Sequence, residues 1–331
     1  MRHQLRRTPA PRPIGSPNVQ AAAVIRLPHS LQRYLETQAS SLLYPHASSA
    51  DDFLLPAGEP ALVAPDSVSW RVFKNPVALF IGGITAVLLE LAHPAVRSGV
   101  WEHTSFRSNP RQRIQRTGYA AMMTVYGPRS RTEAMIAAVR QRHGQIGGVT
   151  PSGMPYRADD PALLSWVHAT AAFGFMEAFH AYVGMLDAAQ REAFFAEGKM
   201  SSRLYGADDA PISEQQCLTL FETTLPCLEP SSIVLDFLNI VAHSPLLPAP
   251  LDHAQGLLLK ASIAILPAAI RERLCLPVHW NLHPWQAAVV RRLGRIAERI
   301  PLASSPATLA CQRLGLPHDY LYAPRGLNSL L

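Results

Sequence analysis

The chain is poor in the motifs that would place it quickly. Its four cysteines, Cys217, Cys227, Cys275 and Cys311, are widely spaced and form no CxxC pair. That argues against a disulfide framework or a structural zinc site and leaves buried free thiols in a reducing compartment as the expectation. No GxSxG elbow, Walker A sequence, GxGxxG after a strand or HExxH is present, and the EAFH pair of Glu177 and His180 has no second copy of the kind a di-iron bundle needs. No acid precedes Glu36, whereas Arg2, Arg6, Arg7 and Arg12 crowd the start of a chain of net charge +6. Residues 1–30 therefore read as a basic, Pro/Arg-rich arm, either solvated or in weak contact with a membrane surface. The arm has no interleaved aromatics and the chain has no zinc-finger or RNA-binding signature, so nucleic acid is set aside. The basic start runs into proline rather than an apolar core, so no secretory signal is read and a cytoplasmic location is expected. The most apolar run, residues 77–89, ends at Glu90 and is too short to span a bilayer; a buried core helix explains it.

What is present is apolar and helical. Hydrophobic residues make up 48% of the 331 and charged residues only 16%, enough to fill a sizeable core. Alanine and leucine dominate and β-branched runs are short, which predicts an all-α protein, with residues 31–331 as one helical domain. Helices are expected over 31–43, from Asn75-Pro76 to about Ala92, over 95–101, from Asn109-Pro110 through 111–125, over 130–143, and from Asp160-Pro161 toward Val183. Others are expected over 187–197, 213–225, 230–242, 251–270, 284–300 and 307–314. The Asn-Pro and Asp-Pro pairs carry much of this reading, because the first residue caps and the proline suits the first helical position. Residues 44–70 and 149–158 read as loops.

The densest chemistry lies between Glu90 and His143, where an apolar helix gives way to His, Arg and Thr without losing helical rhythm. Arg113, Arg116 and Thr117, spaced i, i+3 and i+4, share one helix face. Two guanidinium forks and a hydroxyl suit an anionic or oxygen-rich ligand, although a solvated basic face has the same spacing. Arg107, Arg111, Arg129 and Arg131 read as surface charge. His93 stands at a helix end before Pro94, His143 closes a helix before Gly144, and His168 lies in an amphipathic helix near Trp166. Any of them could be a satisfied core residue. A single axial histidine for haem is also compatible with them, since haem iron needs only one or two protein ligands. Asp159-Asp160 could pair on a metal, but Asp160 before Pro161 is more simply an N-cap.

The order of these segments resembles the MpaB-like family of haem oxygenases, which includes the rubber oxygenases called latex clearing proteins. The resembling residues are Leu88-Leu89-Glu90-Leu91-Ala92-His93-Pro94, Gly99-Val100-Trp101-Glu102-His103-Thr104-Ser105-Phe106, Arg113-Ile114-Gln115-Arg116-Thr117-Gly118-Tyr119 and His143-Gly144-Gln145-Ile146-Gly147, then Tyr156 to Pro161 and Trp166-Val167-His168-Ala169. They cover about residues 70–260. The resemblance implies a globin-like helical core around haem b, with His143 as the axial iron ligand and His168 as its alternative. It places Arg113, Arg116 and Thr117 beside the cofactor and implies O2 chemistry on an apolar, isoprenoid-like alkene, with an electron donor it does not name. Glu90, His93 and His103 are the candidates for a base, His93 first. Latex clearing proteins carry lysine where this chain has Arg116. Arginine keeps its proton, so Arg116 is expected to pair with a propionate or donate a distal hydrogen bond rather than ligate iron. A haem-binding protein without turnover and a cofactor-free helical scaffold are the alternatives.

Overall fold

The computed structural model describes residues 24–44, 49–247 and 251–322. Residues 1–23, most of the expected basic arm, lie outside the described residues. The chain is all-α. Its helices are α1 His29–Leu43, α2 Asp51–Leu54, α3 Val68–Phe73, α4 Pro76–Ala92, α5 Pro94–His103, α6 Pro110–Tyr126, α7 Arg129–His143 and α8 Pro161–Tyr182. They continue as α9 Ala188–Glu197, α10 Lys199–Tyr205, α11 Glu214–Thr224, α12 Ser232–His243, α13 Gln255–Ala264, α14 Ala268–Arg273, α15 Pro284–Ala297 and α16 Pro306–Arg313. Three of the starts are capped as their sequences imply. The side chain of Asn75 accepts from Val77 N and Ala78 N, that of Asn109 from Gln112 N, and that of Asp160 from Ala162 N and Leu163 N.

α4 and α8 cross at the centre. Gly82 and Gly174 let the two backbones meet: a Cβ on Gly174 would fall 2.5 Å from the Gly82 carbonyl oxygen, and one on Gly82 2.7 Å from Phe175 Cα. Leu88, Leu89, Met176 and Phe179 fill the space around this crossing and are all but fully buried. Each such side chain contributes roughly 1.5–3 kcal/mol of hydrophobic stabilisation. The apolar core is one contiguous cluster running from Phe53 to Cys311. Buried hydrogen bonds tie neighbours to this pair: Thr85 Oγ1 donates to Ser262 O in α13, Tyr182 Oη to Ala261 O, and Asn75 Nδ2 to Gly294 O in α15. By length and composition α8 alone among the described helices could cross a membrane, but half of its most apolar window is buried inside the fold. The α4–α5 pair passes the same test only jointly, and it bends by 110° at His93-Pro94.

Some expectations fail for identifiable reasons. Residues 149–158 do not form a plain loop. Gly147–Val149 (β1) and Pro155–Arg157 (β2) pair antiparallel, with Gly148 opposite Tyr156. Tyr156 supplies the anchor, buried against Gly99 of α5. The single helix expected over 251–270 is broken, because Pro267 cannot continue it; α13 ends at Ala264 and α14 starts after the proline. Within 44–70 the chain forms α2 and begins α3, whose N-cap Ser67 accepts from Trp70 N. α10 was not expected; it follows α9 through Gly198 and stops at Gly206, whose φ is 88°. Of the four thiols only Cys217 and Cys311 are buried, while Cys227 and Cys275 are exposed.

Candidate functional site

The α4–α5 bend and the turn at Gly127-Pro128 bring three helices together around Glu90, Arg113 and His143. Glu90 lies in the last turn of α4, where the apolar run ends. Arg113 comes from the first half of α6 and is partly buried. Burial pushes the Glu90 carboxyl up to about 7, with the Arg113 cation partly opposing it. Burial also lowers the Arg113 guanidinium, while Glu90 supports its charge and Arg116 works against it. Arg113 Nη1 donates to Thr117 Oγ1, and that hydroxyl donates back to Arg113 O at 3.0 Å. The two residues read from the sequence as sharing a face are thus bonded to each other as well.

His143 completes the group. It ends α7, and Gly144 caps the helix by donating to Arg140 O and Arg142 O. Its imidazole is lowered below the ordinary histidine range, first by burial and then by the Arg113 cation, with Asp159 opposing. It is thus neutral at pH 7. Its Nδ1 is buried and has no hydrogen-bond partner. Asp159 reaches this position because the β1–β2 hairpin folds the chain back, with Ala158 N donating to Ile146 O at 3.0 Å. Arg157 holds Asp159 by two hydrogen bonds of 2.9 and 2.8 Å. The sequence reading weighed Asp159 only as half of a metal pair and missed this part; the available signal was Gly147-Gly148 set opposite Tyr156.

His93 stands in a neighbouring group. It is at once the C-cap of α4 and the N-cap of α5. Burial lowers its imidazole and Arg97 adds to this, while Asp160 and Glu229 oppose. Arg97 belongs to the framework: it donates to Leu91 O and pairs with Glu229, whose backbone N–H donates to Ala92 O. His93 packs 6.3 Å from the Trp166 ring, centroid to centroid. The buried polar atoms left without a partner among the described residues are His93 Nδ1, His143 Nδ1, Ser165 Oγ, Trp166 Nε1 and Trp70 Nε1. All but the last belong to these two groups or the adjoining turn of α8. Buried polar atoms are ordinarily paired, so a cluster of unpaired ones marks a place where something else supplies the partners.

The remaining candidates lie elsewhere. His103 is exposed at the end of α5 and takes part in none of these interactions. His168 faces the α9–α10 junction, its Nε2 3.0 Å from where a Cβ on Gly198 would stand. Burial alone lowers it to about 4. Arg116, Thr117 and Gly118 form an exposed run in the middle of α6, and an added Cβ at Gly118 would meet nothing within 4 Å. Of the arginines read as surface charge, Arg129 pairs with Glu133, Arg131 with Asp52, and Arg107 lies over the Trp101 ring. A cavity of about 480 Å³ opens beside His143, walled by Arg140, Gln141, Asp159, Tyr205 and Asp208. Neither Glu90 nor Arg113 lines it. A larger one of about 560 Å³, bounded by Leu62, Val63, Met200 and Leu204, touches none of the residues discussed.

Among the described residues no three His, Cys, Asp or Glu side chains converge as a metal site built from protein ligands alone would require. A macrocycle-bound metal asks for less: one neutral imidazole, and cations for its acidic substituents. His143 with its free Nδ1, together with Arg113 and Arg116, fits that demand. No curated protein and no solved structure matches the chain. The family described as "ER-bound oxygenase mpaB/B'/Rubber oxygenase, catalytic domain" matches residues 70–299. That match covers the whole of the Glu90–Arg113–His143 constellation, and the chain belongs to this family of oxygenase catalytic domains.

Proposed function

We propose that the protein is a haem b-dependent oxygenase that uses O2 on an apolar, isoprenoid-like alkene and cleaves a C=C bond to carbonyl products. The observation that carries this reading is the meeting of a His143 imidazole, held toward its neutral form and with its Nδ1 buried and unpartnered, with a partly buried Glu90–Arg113 pair, inside the region matched by the oxygenase family. His143 is the residue to hold the iron, because metal ligation needs the neutral imidazole and no protein group competes for its Nδ1. Haem b, when bound, supplies the activation of O2.

The protein residues do the rest. Glu90 is the base: its carboxyl, poised near 7, takes an allylic proton onto a carboxylate oxygen at neutral pH and can return it. This choice replaces the initial preference for His93, whose charged neighbours are those of the α5 framework. Arg113 keeps Glu90 ionised in part and offers its remaining guanidinium donors toward oxygen atoms of a bound group. Arg116, exposed on the same flank, pairs with a carboxylate of the cofactor.

The experiment is oxygen uptake by the haem-loaded protein with isoprenoid alkenes, with products trapped as carbonyl derivatives. Uptake with carbonyl formation supports the reading. Haem-loaded protein that consumes no O2 with any alkene marks a carrier or sensor instead.

A further inference from the structure

Helix α15 turns an apolar ridge to solvent. Trp285, Val289, Arg292 and Ile296 recur at i, i+4, i+7 and i+11 and so share one face. Trp285 is 66% exposed, Val289 and Ile296 are each 40% exposed, and Val278 just upstream is 81% exposed. The opposite face is fixed in the fold: Val290 is buried, and Gly294 is so close to Tyr182 that a Cβ there would fall 2.5 Å from its carbonyl oxygen. The ridge is therefore held in place, with its apolar side out.

Along this stretch of the chain the charge is nearly all of one sign. Arg292 lies on the ridge and Arg295 beside it, both exposed and unengaged among the described residues. Between Arg273 and Ile300 the only acid is Glu298, which is taken up by Lys74 at 2.7 Å.

We infer that α15 is a peripheral docking face for an anionic lipid surface, with Trp285, Val289 and Ile296 entering the headgroup boundary and Arg292 and Arg295 facing the lipid phosphates and carboxylates. A tryptophan-bearing apolar face flanked by arginines has the chemistry for that boundary, where an indole is both apolar and a hydrogen-bond donor. Charge complementarity selects anionic lipid over a second copy of this chain, because two such ridges would oppose arginine to arginine.

The test uses the full-length protein and vesicles of phosphatidylcholine alone or mixed with phosphatidylserine. Of the five tryptophans only Trp285 is exposed, so it is a built-in reporter. The expected result is sedimentation with the mixed vesicles only, with quenching of fluorescence by brominated lipid that disappears in Trp285→Phe. Arg292→Gln and Arg295→Gln should each weaken binding about five-fold, and Val289→Glu with Ile296→Glu should abolish it while near-ultraviolet circular dichroism stays native. Equal binding to both vesicle types, or binding unaffected by the ridge substitutions, overturns the inference. So does a doubled mass in light scattering that the ridge substitutions reduce to a monomer, or a Trp285 shielded from iodide without vesicles, because the occupant would then be a second copy or the chain itself.

Discussion

Arg313 and Arg113 are both arginines drawn away from water, and the fold serves them differently. Arg313 in α16 gives Nε to Glu59 O at 2.8 Å, Nη1 to Phe53 O at 2.6 Å and Nη2 to Tyr126 O at 2.8 Å. Backbone oxygens from three separate segments converge on one guanidinium, and nothing around it is left over. Burial lowers it to about 10, still charged at neutral pH. Arg113 has a hydroxyl one turn away and a carboxylate that is itself near its own pKa. Around it stands a partnerless imidazole, and a second one lies close by at His93. A satisfied buried charge locks helices together; an unsatisfied one keeps its bonding capacity for something not yet there. The first kind of site is framework; the second is where the proposed function is placed.

This contrast can be broken by substitution, and the largest effect belongs to Glu90. Glu90→Gln should reduce turnover by roughly 10²–10⁴-fold, the usual worth of a general base, while leaving the haem spectrum in place. The sign of the pH dependence follows from the same group. The carboxylate is the active form, so activity should rise with pH through about 7 and be lost below it as Glu90 protonates. In Glu90→Gln the residual rate should be flat across that range. A wild-type profile that falls with rising pH would remove Glu90 from the role of base.

On the framework side, Arg313→Leu leaves two buried carbonyls, Phe53 O and Tyr126 O, and the partly buried Glu59 O without their donor. A loss of about 3–5 kcal/mol in denaturant unfolding is expected, as for breaking other buried charged networks. A loss below about 1 kcal/mol, the size expected of a surface pair, would end the distinction between the two arginines. A smaller effect tests the crossing that positions both sites. Gly174→Ala presses a methyl into the Gly82 carbonyl and should cost about 1–3 kcal/mol. Because Glu90 lies two turns beyond Gly82 on α4, the same variant should also lower cofactor affinity.

The smallest stability effect is expected at Arg116. It is exposed, so Arg116→Gln should change stability by less than about 0.5 kcal/mol. It should nevertheless weaken retention of haem by several-fold in competition with apomyoglobin. Unchanged retention would make Arg116 solvated surface charge and nothing more.

How much of this could be read from the chain alone follows from range. The helix starts were legible because Asn75-Pro76, Asn109-Pro110 and Asp160-Pro161 act locally. The shared face of Arg113 and Thr117 was legible because it spans one turn of one helix. The approach of Glu90 to Arg113 was not, because it depends on the 110° bend at His93-Pro94 and on how α4 and α6 then pack. The same holds for Asp159, which reaches His143 only through a hairpin too short to leave a strand pattern. The family resemblance supplied the order of the segments; the structure adds where their residues lie, with Glu90 and His143 about Arg113, His103 exposed at the end of α5 and His168 at the α9–α10 junction.

The central claim is that His143 holds the iron, and the visible spectrum of the purified protein after haem-supplemented expression tests it most directly. The account predicts a Soret band in the wild type, lost in His143→Ala and retained in His168→Ala. A wild type with no Soret band, or a band that survives in His143→Ala, would contradict it.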